Sequence, residues 1–357
     1  MALQLLERKQ KITFSLALVA TLAAGALAIG EVNPTLTFMV AAAALATLAA
    51  TVGEATDQLG RRLSPTMTGV LQSAIGNLPE LFVSIFALQA GLITVVQSAI
   101  VGSILANSLL VLGLAFVMGG WRFKTLHFDQ ESTRIMVTLT VLAVSALIVP
   151  TLVAELHTPA GGHEEALSLM SAVILLVIFI CSIIFSAQSG PEAAPPAHHL
   201  DQEGAWPLWL TLTILGAAGV AAAFVSEWFV DALSPAIAAL NISEAFAGLV
   251  VVAIAGNAVE NVVGIQLAMQ NKGDLAVSVV LNSSLQVAIA LTPILVLVSF
   301  WVSSTPLTLQ LPPLLVAVLV LAVLLDMLIV LDGEANWLEG AALIGLYGII
   351  ATSFWWG

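Results

Sequence analysis

Long apolar runs separated by short polar breaks dominate the chain and predict its architecture. An α-helix needs about 20 apolar residues to cross a hydrocarbon core roughly 30 Å thick, and most of the runs reach that length. Many breaks contain Gly, Pro or charged residues, which favour turns. The pattern predicts eleven transmembrane helices, near residues 12–30, 35–56, 66–90, 95–119, 132–154, 165–187, 206–230, 242–269, 275–302, 311–331 and 338–356.

One break is longer than the others and divides the chain into two halves. Residues 188–204 are rich in proline and acidic side chains, which is typical of a flexible acidic linker. The first apolar run follows basic residues, but it is long for a cleaved signal, so we interpret it as a retained helix. We predict four regions: an N-terminal helix at 1–33, a first half at 34–187, the linker at 188–204 and a second half at 205–357.

The Lys and Arg residues give the predicted helices an orientation. If the N-terminus is cytoplasmic, eleven crossings place all nine of these residues on the cytoplasmic side or at the inner end of a helix. Cytoplasmic loops of membrane proteins carry an excess of Lys and Arg, so this distribution supports the predicted number of helices. We expect an integral membrane protein with a cytoplasmic N-terminus, in a prokaryotic plasma membrane.

The composition agrees with a lipid environment and excludes several classes of protein. Charged residues make up 9% of the chain and hydrophobic residues 60%, which leaves too few charges for a water-exposed surface. A net charge of -13 excludes nucleic acid as a partner, because phosphate binding requires clustered Lys and Arg. The single cysteine, Cys181, excludes a disulfide framework. We expect the lipid bilayer as a partner and no cofactor, and a homo-oligomer remains open.

An internal repeat joins the two halves. The sequence Gly-Asn-Leu-Pro-Glu at 76–80 recurs 180 residues later as Gly-Asn-Ala-Val-Glu at 256–260, and the same offset aligns Ser103 with Ser283. The two motifs lie five crossings apart, so their helices run in opposite directions through the bilayer. This arrangement is an inverted repeat, which in transporters places the substrate site near the middle of the membrane.

The repeated motif carries oxygen ligands on one face of a helix. Asn77 and Glu80 are three residues apart, as are Asn257 and Glu260, so each pair shares a face. Carboxylate and amide oxygens suit Ca²⁺, Na⁺ or protons. An ionised carboxylate in mid-membrane costs about 2.5–3.5 kcal/mol, so each Glu is expected to hold a proton unless a cation is present. The two glutamates together therefore balance one divalent cation or two protons.

Further polar residues are weaker candidates. Ser103, Ser283 and Gln286 either supply neutral oxygens to the ion or only form hydrogen bonds within the helices. Glu54 and Glu227 lie in loosely similar segments and form either a relay or solvated helix ends. The sequence favours a solvated loop position for Asp57 and a structural role for Asp326.

These residues resemble the calcium/proton exchangers of the cation/Ca²⁺ exchanger superfamily. Two Gly-Asn-x-x-Glu motifs in register, each followed 23 residues later by Ser, make the resemblance specific. The similar stretches cover nearly the whole chain apart from the first helix and the linker. They are 53–56, 76–81, 101–105, 256–260, 282–286 and 331–340.

The resemblance implies an all-α polytopic fold with one unpaired helix and two inverted five-helix repeats. It also implies a cytoplasmic linker and Ca²⁺ efflux driven by inward protons, with Ca²⁺ and H⁺ as transported ions. Glu80 and Glu260 would bind the cation and the protons in turn. Asn77, Asn257, Ser103, Ser283 and Gln286 would line the cation pathway, supported by Glu54 and Glu227.

Two positions depart from the family pattern, and a third makes the two halves chemically different. Asn261 stands where the family usually has His after the second Glu, which changes the expected proton stoichiometry because Asn does not titrate. Asn282 replaces the Gly that usually precedes Ser283, and Ala106 provides no oxygen at the position matching Gln286.

Other functions compete with Ca²⁺/H⁺ exchange. A sodium-coupled exchanger of the same superfamily is the nearest alternative, and a passive cation channel is a more distant one. No His-Glu-x-x-His motif occurs, which argues against an intramembrane metalloenzyme. We therefore expect a transporter and no enzyme.

Overall fold

The computed structural model describes residues 6–62, 75–188, 206–330 and 332–356 of the chain. The helices before the predicted linker are α1 Arg8–Ile29, α2 Pro34–Gly60, α3 Leu78–Gln89, α4 Ile93–Phe123, α5 Gln130–Glu155 and α6 Glu164–Gln188. The helices after it are α7 Leu208–Leu240, α8 Glu244–Gly256, α9 Ala258–Met269, α10 Gly273–Val302, α11 Pro313–Val330 and α12 Trp337–Ser353. Apart from Gln188, the predicted linker lies outside the described residues.

The helical membrane architecture is confirmed. Within the described ranges, seven helices are long and apolar enough to cross a membrane, namely α1, α2, α4, α5, α6, α7 and α10. The predicted helix at 242–269 is instead two helices, α8 and α9, which meet at an angle of 61° and together would form an eighth span. The helices α3, α11 and α12 are shorter but also apolar.

The helices differ in how deeply they are buried, and this difference defines the centre of the molecule. In the most apolar stretch of α4, 83% of the residues are buried, and in α10 the share is 67%. In α1 and α6 the share is only 17%, because their apolar side chains face outward. The helices α4 and α10 therefore form the core, and α1 and α6 lie at the periphery, where a bilayer solvates exposed leucine and valine side chains.

Among the described helices, three contain a π-helical turn. These turns are Ala106–Val111 in α4, Ala247–Val252 in α8 and Val287–Leu291 in α10. Single π-turns inside α-helices occur frequently at functional sites, because the extra residue shifts the side chains that follow. Here they lie in the two central helices and in the helix that packs against α4.

Two glycines let α4 and α8 approach each other closely. A Cβ atom at Gly102 would collide with the backbone of Leu249, and one at Gly248 would collide with the carbonyl group of Val95. Small residues at such crossings allow backbone-to-backbone packing in membrane proteins. This contact packs the π-turn of α8 against the first part of α4.

A pair of three-residue strands is the departure from an all-helical fold in the described residues. Strand β1, Thr125–His127, pairs antiparallel with β2, Glu334–Asn336, and Leu126 lies opposite Ala335. The pair joins the connection between α4 and α5 to the connection between α11 and α12. Both connections belong to the set that the positive charges assign to the same side of the membrane.

Candidate ion-binding site

Helices α3 and α9 both begin directly after the Asn of the repeated motif. Asn77 precedes α3 with φ -92° and ψ 16°, and Asn257 precedes α9 with φ -95° and ψ 21°. Neither side chain caps the helix that follows. The backbone at both Asn residues therefore departs from helical geometry, and the two amide side chains are available for other contacts.

Glu80, in the first half of the chain, contacts the junction of α8 and α9 in the second half. Its side chain is 4% exposed, and its Oε1 atom accepts a hydrogen bond of 2.8 Å from the Nδ2 atom of Asn257. A Cβ atom at Gly256 would collide with the Glu80 side chain, so the glycine of the second motif makes room for the carboxyl group of the first. The two motifs meet inside the protein.

Asn257 is the centre of a buried polar network. Its Nδ2 atom lies 2.8 Å from Oε1 of Glu80, 2.7 Å from Oγ of Ser103 and 2.9 Å from the carbonyl oxygen of Ala253. An amide nitrogen carries only two hydrogens, so it cannot satisfy all three acceptors at once. One of these three oxygens is therefore left to accept a hydrogen bond from another donor or to bind a cation. The network is thus suited to exchanging a hydrogen bond for a bound ion.

The other end of the Asn257 amide also binds side chains. Its Oδ1 atom accepts from Nδ2 of Asn107 at 3.2 Å and from the hydroxyl of Ser283 at 3.4 Å. Asn107 also donates to Oγ of Ser283 at 3.0 Å. The network thus connects α3, α4, α9 and α10 through fully or nearly fully buried polar groups.

Sequence reasoning missed Asn107. The residue lies in the π-turn of α4 and is fully buried, but the repeat offset of 180 aligns it with Val287, so no repeated polar position points to it. An available signal was the amide itself: a polar side chain in the middle of an apolar membrane helix needs a partner.

Several buried atoms in the two motifs, or directly after them, have no hydrogen-bond partner in the structure. They include Oε2 of Glu80, Nδ2 of Asn77 and Oδ1 of Asn261. Buried polar atoms are normally satisfied, so such a group of exceptions indicates a place where another species binds. For Glu80, one oxygen is fixed by Asn257 and the other is available to a proton or a cation.

Glu260 is more accessible than Glu80. Its side chain is partly exposed on α9, and it is close enough to both Glu80 and Asp57 for electrostatic interaction. The predicted loop position of Asp57 was wrong, because this residue lies in the last turn of α2, with an exposed side chain.

The described residues contain no group of three or more His, Cys, Asp and Glu that could hold a metal ion. A cation here would need the two glutamates and neutral oxygens together.

Besides Asn77 and Glu260, three predicted site residues form no hydrogen bond with this network in the described part of the chain. Gln286 is partly buried at the turn before the π-turn of α10 and makes no hydrogen bond to the residues of the network. Glu54 instead accepts hydrogen bonds from Gln10 at 2.7 Å and from Gln58 at 3.3 Å. Glu227 is exposed on α7. These three residues therefore do not form the centre of the site.

Comparison with known proteins places the chain in a family. The sequence pattern of the family described as "Sodium/calcium exchanger protein" matches residues 33–188 and 210–356. A "Ca(2+)/H(+) antiporter" of Aphanothece halophytica is 34% identical over 336 residues, which cover 89% of each chain. The "Ca(2+)/H(+) antiporter ChaA" of Bacillus subtilis is 33% identical, with 89% of this chain and 91% of the other covered.

A solved structure has the same fold. The structure of native YfkE superposes with a TM-score of 0.82 and 30% sequence identity, covering 96% of this chain and 99% of the other. The resemblance seen in the sequence is confirmed, and the chain belongs to the sodium/calcium exchanger protein family.

Proposed function

We propose that the protein is a secondary active transporter that exchanges cytoplasmic Ca²⁺ for protons by alternating access. The observation that carries the proposal is the contact between the halves: Glu80 of the first motif is held by Asn257 of the second, and its other oxygen has no partner. The names of the relatives, Ca²⁺/H⁺ antiporters of similar length, support the choice of ions.

The proposed membrane arrangement is one unpaired helix, α1, followed by two inverted repeats of five. The first repeat would contain α2, the segment ending in α3, α4, α5 and α6. The second would contain α7, the broken pair α8 and α9, α10, α11 and α12. The nearly identical backbone angles at Asn77 and Asn257, and the π-turns in both α4 and α10, support this pairing. The N-terminus would be cytoplasmic, in a prokaryotic plasma membrane.

Charge balance provides the exchange chemistry. With Ca²⁺ bound, Glu80 and Glu260 are ionised and neutralise the ion, while hydroxyl and amide oxygens such as those of Ser103 and Ser283 complete the coordination. When Ca²⁺ leaves, two isolated charges in a low-dielectric region are unfavourable, so each carboxylate takes up a proton. Cation and protons compete for the same oxygens, so each ion displaces the other.

The accessibility of the two glutamates supports a path from one side. Glu260 and Asp57 are accessible, and Asp57 lies at the end of α2 that is predicted to be cytoplasmic, whereas Glu80 is buried. Ca²⁺ would therefore arrive at Glu260 first and then reach Glu80. Opening towards the other side would require Glu80 to become accessible and Glu260 to become buried, as the two halves of an inverted repeat allow.

The experiment uses the full chain reconstituted into liposomes with an imposed pH gradient and ⁴⁵Ca²⁺. Wild type is expected to accumulate Ca²⁺ in response to the gradient. Glu80→Gln and Glu260→Gln are expected to abolish the exchange, because an amide can neither balance Ca²⁺ nor carry a proton. Glu165→Gln, at an exposed acid in the first turn of α6, is the matched control and should transport like wild type. Retained exchange in both site variants would refute the proposal.

Sodium-coupled exchange is the second candidate. Asn261, which cannot titrate, replaces the usual His and favours an ion other than the proton at that position. At equal pH on both sides, Ca²⁺ uptake driven by a Na⁺ gradient would establish this function. Uptake that needs the pH gradient and is unchanged by Na⁺ would exclude it.

A further inference from the structure

A buried carboxyl group lies outside the network around Asn257. Asp326, in α11, is 1% exposed, and neither of its oxygens has a hydrogen-bond partner in the structure. A purely structural carboxyl group is expected to be hydrogen-bonded, because burial of unsatisfied polar atoms is unfavourable. The structural role that the sequence favoured for Asp326 therefore does not explain why both of its buried oxygens lack a hydrogen-bond partner.

Two buried serines connect Asp326 to the centre of the protein. Ser108, in the π-turn of α4, is close enough to interact with the Asp326 carboxyl group. The hydroxyl of Ser108 also lies 3.5 Å from that of Ser284 in α10, and both serines are fully buried. One acid and two hydroxyl groups from three helices are therefore connected where α4 and α10 pack together.

This cluster is adjacent to the proposed Ca²⁺ site without sharing its residues. Asn107 donates to Ser283 at 3.0 Å, and the next residues in each helix, Ser108 and Ser284, make the second contact. The first contact belongs to the network of Asn257 and Glu80, and the second leads to Asp326. A shift of either π-turn would therefore alter both contacts together.

In the described part of the chain, no charged side chain on the neighbouring elements balances the negative charge of an ionised Asp326. The elements in close contact with α11 are α4, α5 and β2, and the titratable side chains of these elements are exposed. Within the described residues, none of them interacts electrostatically with Asp326, whose polar neighbour is Ser108. These side chains are Arg122 of α4, Glu131, Arg134 and Glu155 of α5, and Glu334 of β2, and the titratable residue of α10 is the exposed Asp274.

The chemistry of the cluster selects its ligand. One carboxylate is neutralised by one positive charge, whereas a divalent cation would leave an excess charge buried among apolar helices. A protonated carboxyl group needs only one acceptor for its hydrogen, and a serine hydroxyl supplies it. A proton therefore fits the cluster without any further ligand.

We propose that Asp326, together with Ser108 and Ser284, forms a third proton site, which exchanges its proton in step with Glu80 and Glu260. This inference rests on the proposed Ca²⁺/H⁺ exchange. Three protons would then enter for each Ca²⁺ that leaves, so each cycle moves one net positive charge. With the two glutamates alone, the exchange would be electrically neutral.

The test measures the Ca²⁺ ratio across proteoliposomes at zero net flux, at fixed pH on both sides and at membrane potentials set with K⁺ and valinomycin. Movement of one net charge shifts this ratio tenfold for about 59 mV. Wild type is expected to show that shift, and Asp326→Asn is expected to exchange Ca²⁺ with a ratio independent of voltage. An unchanged ratio in wild type, or a persistent shift in Asp326→Asn, would overturn the proposal, as would a shift that requires Na⁺.

A second measurement does not depend on transport. In a Glu80→Gln/Glu260→Gln background, infrared difference spectra recorded through a pH titration should contain a protonated carboxyl band that disappears when Asp326→Asn is added. The absence of such a band at every pH would also overturn the proposal. A wild-type protein that moves no Ca²⁺ in response to a pH gradient would instead refute the proposed function, and the infrared result would still show whether Asp326 binds a proton.

Discussion

The two copies of the Gly-Asn-x-x-Glu motif have the same backbone but different surroundings. At Asn257 the amide contacts Glu80, Ser103, Asn107 and Ser283, whereas the Nδ2 atom of Asn77 is buried without a partner. The carboxyl groups differ as well, since Glu80 is buried and Glu260 is partly exposed. A repeated sequence therefore does not produce a symmetric site: the carboxyl group of the first motif is enclosed by the protein, and that of the second is partly exposed.

The asymmetry has a physical origin in the helices that face each motif. Asn257 faces α4, where Asn107 and Ser103 lie on one side of the helix, one turn apart. The equivalent position of Asn107 in α10 is Val287, which offers no hydrogen bond to Asn77. In a second state in which Glu260 is buried, Val287 would supply no hydrogen bond. The bound protons or cation would then have to satisfy the polar groups that Asn107 satisfies here.

The largest expected effect comes from removing the central amide. Asn257→Ala deletes the donor to Glu80 and Ser103, and it leaves Asn107 without its acceptor on this residue. Loss of a residue that orients a metal ligand typically lowers metal affinity by about 10–100-fold. We expect a reduction of that size in the apparent Ca²⁺ affinity of exchange, measured with ⁴⁵Ca²⁺ in proteoliposomes.

Asn77→Ala is the matched variant, since it deletes the same side chain from the same backbone conformation in the other motif. We expect its apparent Ca²⁺ affinity to fall by much less than that of Asn257→Ala. Equal losses in the two variants would show that the asymmetry does not matter during transport.

A smaller effect is expected at Asn107. Asn107→Ala removes two hydrogen bonds, to Asn257 and to Ser283, and the net contribution of one such bond is about 0.5–1.5 kcal/mol. We expect a several-fold loss of apparent Ca²⁺ affinity, since Asn257 becomes free to turn away from Glu80. Calcium-dependent thermal stabilisation in detergent measures the same change without transport.

The control for Asn107 is Leu109→Ala in the same π-turn. Leu109 is fully buried and apolar, so its truncation lowers the free energy of unfolding without removing a hydrogen bond. Stability should fall in Leu109→Ala, with the Ca²⁺-dependent stabilisation retained. A similar loss of Ca²⁺ response in both variants would mean that packing of the π-turn, and not the amide, supports the site.

The sequence predicted the parts of this site that repeat and missed those that do not. Glu80, Asn257, Ser103 and Ser283 were predicted as site residues because an offset of 180 pairs them with equivalent residues, and the structure joins the side chains of these four in one network. Asn107 has no repeated partner and was missed. Glu54 and Glu227 were weak candidates because acids near helix ends have several roles, and hydrogen bonds to Gln10 and Gln58 hold Glu54 elsewhere.

The fold was predictable to a similar extent. Apolar length identifies membrane helices, because the bilayer thickness is fixed, so the helical class followed from the sequence. The π-turns and the pairing of β1 with β2 depend on contacts between distant segments, and no local pattern in the chain encodes them. The predicted helix at 242–269 is broken at Gly256 and Asn257, where the Glu80 side chain lies against the glycine, and the local sequence did not predict the 61° angle.

The smallest effect concerns helix starts that serve stability and not transport. Asp129 caps α5, because its side chain accepts a hydrogen bond of 2.9 Å from the backbone nitrogen of Ser132. The same contact with Ser132 holds the pKa of the Asp129 carboxyl below its usual value. This is the capping role that Asn77 and Asn257 do not perform, so the two kinds of helix start can be separated by mutation.

Asp129→Ala is expected to cost about 0.5–2 kcal/mol of stability at neutral pH and to leave Ca²⁺ exchange unchanged. A carboxyl group with a lowered pKa in the folded state stabilises the protein above its unfolded pKa, and the contribution disappears as the pH falls through the folded value. The difference in unfolding between wild type and Asp129→Ala, measured in detergent, should therefore shrink on acidification. Asp129→Asn keeps a capping oxygen and should lose less stability at neutral pH than Asp129→Ala. A change in Ca²⁺ exchange in either variant would contradict a purely structural role for this helix start.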